Sequence, residues 1–80
     1  MTTQEVLKKL NTIFQDEFDD ENIQVTETTT ANDIEDWDSL THISLIAAIE
    51  DEFDMEFTMG EVTSMKNVGE MAEIIISRIS

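Results

Sequence analysis

Val6, Leu7, Leu10, Ile13 and Phe14 recur at the spacing of one side of an α-helix, in which successive residues turn by about 100°. The run begins behind Thr2-Thr3-Gln4-Glu5, a capping box in which a hydroxyl and a carboxylate satisfy first-turn N–H groups, and it stops at the acidic cluster Asp16 to Glu21. This predicts a first helix over about residues 3 to 16. From Glu21 to Trp37 the chain is polar and threonine-rich, with Ile23, Val25 and Ile34 isolated and out of period, which predicts a long ordered loop pinned by those three. Asp38 or Ser39 then offers a short side-chain oxygen to cap a second helix, whose apolar period runs from Leu40 to Phe53 and predicts about residues 39 to 53. Phe57, Val62 and Met65 around Gly60 predict a short third helix near residues 58 to 64. Asn67-Val68-Gly69-Glu70 is a second box-like cap, and Val68, Met71, Ala72, Ile75 and Ile79 share one face of a fourth helix near residues 67 to 79. The expectation is an all-α, four-helix bundle of three main helices and one short one, forming a single domain over residues 1–80.

Charge changes the picture of the outside of this bundle. Nineteen acidic residues against four basic ones give a formal net charge of −15, while 40% apolar residues keep the chain out of the disordered class. Nucleic acid and anionic membrane surfaces repel such a field, which instead steers the protein toward basic patches on partner proteins. With no cysteine, disulfides and thiolate chemistry are excluded. Met1 to Lys9 lacks the apolar core of a signal peptide, and the apolar runs are too short to span a bilayer, so a cytoplasmic monomer is the expectation.

The second helix is apolar twice. Leu45, Ile46, Ile49 and Phe53 fall on one side, while Leu40, Ile43 and Ala47 fall nearly opposite, flanked further along by Glu50, Asp51 and Asp54. A bundle of this size buries one such face. The other is a docking surface or packs under the long loop, and periodicity alone leaves both open.

Asp38-Ser39-Leu40 at a helix start, the acidic end Glu50-Asp51-Glu52-Phe53, the preceding long loop and a length near eighty residues together resemble the acyl carrier protein family over essentially the whole chain. The resemblance implies that a phosphopantetheinyl transferase attaches 4'-phosphopantetheine from coenzyme A to Ser39, with Asp38 beside it, and that the arm's thiol carries acyl groups as thioesters. A serine at a helix N-terminus suits this, because the first-turn N–H groups and the helix dipole favour a phosphodiester there. The resemblance also implies docking of acyl ligases, synthases or acyltransferases, with basic patches of their own, on Leu40, Ile43 and Ala47 beside Glu50 and Asp51. Fatty acid and polyketide synthesis are the pathways implied. It further implies an apolar cavity for the acyl chain, for which the candidates here are Leu45, Ile46, Phe57, Val62, Met65 and Val68. Thr41 and Ser44, where common fatty-acid carriers have acidic residues, and Trp37 and His42 beside the attachment site depart from the family pattern and suggest a specialised carrier.

Two other functions compete. A hydrolase would pair Ser39 with His42, the only histidine, but the chain has no glycine-rich oxyanion turn and is too small for a substrate cleft. An acidic protein-interaction module without any prosthetic group would use Ser39 only as an N-cap. A calcium loop starting at Asp33 would need glycine at Asp38 and glutamate at Ser44, so no metal site is expected.

Overall fold

In the computed structural model, which describes residues 1–79, four helices follow one another: α1 (Thr3–Glu17), α2 (Ser39–Phe53), α3 (Met59–Ser64) and α4 (Val68–Ile79), with a 3₁₀ turn at Ala31–Asp33 inside the α1–α2 loop. Thr2 caps α1 in the box expected from the sequence: its hydroxyl accepts the Glu5 N–H at 3.2 Å and the Glu5 carboxylate accepts the Thr2 N–H at 2.9 Å. Thr58 and Glu61 repeat the arrangement at α3. No strand occurs among the described residues.

The core lies between α1, α2 and α4. Val6, Leu10 and Phe14 from α1, Leu45 and Ile49 from α2, and Val68, Met71 and Ile75 from α4 are fully buried. Each such side chain contributes about 1.5–3 kcal/mol by leaving water. The faces match the periodicity of the sequence, and the opposite, apolar side of α2 stays outside this core.

The long loop is held by polar side chains of α1 as well as by its own apolar residues. Asn11 Oδ1 accepts the Val25 N–H at 2.6 Å, and Gln15 Nε2 donates to the Ile23 carbonyl at 2.8 Å. Val25 and Trp37 are buried, whereas Ile23 and Ile34 pack half-buried against the core. The loop in turn caps α4, whose first N–H groups have no partner within the helix. Val68 N–H donates to the Thr29 carbonyl and Gly69 N–H to the Glu27 carbonyl, both at 2.8 Å, while Asn67 Oδ1 accepts the Glu70 N–H at 2.9 Å.

That contact explains a glycine at the start of a helix. A Cβ on Gly69 would stand 2.7 Å from the Glu27 carbonyl oxygen, whereas one on Gly60 would meet nothing within 4 Å. Gly69→Ala is therefore expected to destabilise the protein by about 1–3 kcal/mol in urea denaturation, because the loop backbone must retreat. Gly60→Ala should instead gain up to about 1 kcal/mol from helix propensity. Equal gains in both variants would contradict the close approach at Gly69.

Candidate functional site

Asp38 begins the site. It is the N-cap of α2, and its Oδ1 accepts the N–H groups of Leu40 at 2.9 Å and Thr41 at 3.0 Å. The Thr41 hydroxyl returns the contact by accepting the Asp38 N–H at 2.7 Å and donating to the Asp36 carbonyl at 2.8 Å. The Thr41 N–H above all, helped by the Leu40 N–H and the Thr41 hydroxyl, holds the Asp38 carboxyl below its ordinary value of 3.8. A carboxyl whose pKa is lowered by folding contributes stability above that ordinary value and loses it as pH falls through the folded one. Asp38→Ala is thus expected to lower the thermal midpoint at pH 7 and to approach the native protein as acid titrates Asp38 below pH 3.8. A difference that stays constant down to pH 2.5 would contradict the capping role.

Ser39 is the first residue of α2, exposed, and its hydroxyl has no hydrogen-bond partner among the described residues. No carboxylate or imidazole among the described residues hydrogen-bonds that hydroxyl. The imidazole of His42 is taken up on both nitrogens, with Nδ1 accepting from Trp37 Nε1 at 3.0 Å and Nε2 lying 3.1 Å from the Val62 carbonyl. Among the described residues no group of three or more His, Cys, Asp or Glu side chains could hold a metal ion.

A groove of about 560 Å³ opens beside Ser39, walled by Trp37, His42, Ile43, Met59, Val62 and Met65, with Lys66 and Asn67 at its rim. Of the six residues grouped from sequence as an acyl cavity, Val62 and Met65 line this groove. Leu45 and Val68 are fully buried and Ile46 is buried, all three in the core, and Phe57 is half-buried with its N–H donating to Glu50 Oε2 at 2.8 Å. The other four do not line this groove. Trp37, His42 and Met59 take the places that the sequence reading gave to core residues, because the groove lies outside the core, between α2, α3 and the loop.

Leu40 is 79% exposed and Ile43 65% exposed, with Ala47 exposed on the same side of α2 and Met59 of α3 78% exposed. The loop leaves this face open. Asp51 is exposed, whereas Glu50 is half-buried and its carboxylate is engaged by Phe57. Ala47, Glu50 and Asp51 line a second recess of about 460 Å³ together with Asp54, Met55 and Glu56. No helix among the described residues is long and apolar enough to cross a membrane.

Residues 8–75 match the family described as phosphopantetheine attachment site. The chain is also similar to a holo acyl carrier protein from Geobacter metallireducens solved by solution NMR, at 41% identity over 91% of this chain and 84% of that one, with a TM-score of 0.86.

Proposed function

Because this chain belongs to the phosphopantetheine-attachment family, as an acyl carrier protein with a covalently attached 4'-phosphopantetheine and no catalytic activity of its own, we propose that Ser39 is the residue that bears the arm. The observation that carries this reading is the isolated, exposed Ser39 hydroxyl on the first turn of α2. Asp38 orders that turn by accepting the Leu40 and Thr41 N–H groups, and the positive end of the helix dipole there favours a phosphodiester on Ser39. When attached, the arm supplies a terminal thiol that holds acyl groups as thioesters, chemistry that a chain without cysteine lacks. The residues of the groove fit such an arm: Trp37, Ile43, Met59 and Val62 offer apolar surface to its methylenes, and Thr63, Lys66 and Asn67 offer polar groups to its amides.

Leu40, Ile43 and Ala47 form the surface on which the transferase and the acyl-handling enzymes dock, and the acidic surround draws in their basic patches. Thr41 and Ser44 leave this surface less charged than is usual for fatty-acid carriers, and Trp37 with His42 alters the mouth of the groove, so the carrier serves a dedicated set of enzymes rather than general lipid synthesis. The absence of cysteine and of a membrane-spanning helix among the described residues is in keeping with work in the cytoplasm. The intact mass of the native chain and of Ser39→Ala, after incubation with coenzyme A, magnesium and a broad-specificity transferase, tests the attachment.

A further inference from the structure

His42 of α2 joins the end of the loop to α3. Its ring lies 5.9 Å from that of Trp37 at the end of the loop, and Trp37 stands edge-on to the core residue Phe14 with ring centres 5.1 Å apart. An indole N–H can only donate, so Nδ1 of His42 is the acceptor at 3.0 Å, and a neutral ring then carries its proton on Nε2, directed at the Val62 carbonyl 3.1 Å away. Val62 lies in the last turn of α3, where a carbonyl has no partner within the helix. The imidazole supplies that missing donor from across the groove.

This contact bears on a weakly held element. α3 has six residues, none of them buried, and a helix so short does not persist by itself. Its packing consists of half-buried Val62 and neighbouring Met65, and Arg78 of α4 ties it elsewhere by binding the Glu61 carboxylate and the Glu56 carbonyl. His42 is the polar tie on the side facing α2 and Ser39.

We propose that His42 is a positioning residue that latches α3 against α2 and so fixes the wall of the groove in which Ser39 presents its arm and cargo. The proposal rests on the reading of Ser39 as the attachment point. Breaking the Val62 bond frees α3 to swing out, widens the groove and exposes the thioester to water, while the bundle of α1, α2 and α4 stays folded.

Two variants separate the ring's two bonds, because a glutamine amide reaches where Nε2 stands and an asparagine amide reaches only where Nδ1 stands. In the holo protein, His42→Asn and His42→Ala should accelerate amide hydrogen exchange in residues 59–65 by about fivefold or more, with α1 and α4 changed by less than about twofold. His42→Gln, which keeps a donor for Val62, should stay near the native rates. With a hexanoyl group loaded as the probe, thioester cleavage by hydroxylamine should rise about two- to fivefold in the first two variants and not in the third. Unchanged exchange in His42→Ala, or equal acceleration in all four helices, would overturn the latch. If the native chain accepts no arm, the attachment reading fails instead, and the exchange rates of the unmodified protein still decide whether His42 holds α3.

Discussion

Ser39→Ala is expected to abolish attachment of the arm completely while leaving helix content and thermal midpoint unchanged. The side chain is exposed and makes no hydrogen bond among the described residues, and alanine is well tolerated on a helical turn, so nothing in the fold depends on the hydroxyl. The loss should be total because no neighbour can substitute. The Thr41 hydroxyl is engaged between the Asp38 N–H and the Asp36 carbonyl, and Ser44 lies more than a turn further along α2, away from the N–H groups of the first turn. Circular dichroism and intact mass on the same sample check both halves. Residual loading above a few per cent of native would mean that a second hydroxyl is accessible to the transferase.

Ile43→Lys is expected to lower kcat/KM of the transferase by about tenfold or more, chiefly through KM, because it removes a central apolar contact and sets a cation against a basic partner. The isolated protein should lose less than about 0.5 kcal/mol, since Ile43 is 65% exposed. Glu73→Lys, on an exposed position of α4, makes a larger charge change and should cost much less. For the native protein, the interaction should weaken as salt screens the acidic field. Equal losses in the two variants would show that charge alone governs encounter and that the apolar face of α2 is idle. The same variants measured with fatty-acid synthesis enzymes test the narrower reading: ordinary affinity for them would contradict a dedicated carrier.

Helix positions were legible because each main helix buries a stripe at regular spacing, and the doubly apolar α2 could be seen before its environment was known. Which of its two stripes faced the core required the packing partners Leu10, Phe14 and Met71, which come from distant parts of the chain. The cap at the start of α2 was legible for a different reason: Asp38 and Thr41 act within one turn, so local spacing carries their geometry. The wall of the groove was not. Val62 reaches His42 across twenty positions, and Leu45 and Val68 went to the core instead because two helices rotate their sides inward together. Asn11 and Gln15 were also hidden, since a polar residue that binds a loop carbonyl or N–H looks in sequence like any solvated one. Phe18 lay inside an acidic cluster that marks the end of α1, yet it packs on Phe14 with ring centres 5.9 Å apart. Its burial follows from the turn of the chain there, where Asp19 takes a left-handed conformation with φ of 50°.

The central claim is positional, and fragment-ion mass spectrometry of the loaded native chain tests it most directly. One phosphopantetheine per chain, with the added mass confined to Ser39, is the predicted result. An arm on any other hydroxyl, or a chain that stays unmodified under conditions that load a control carrier, would contradict it.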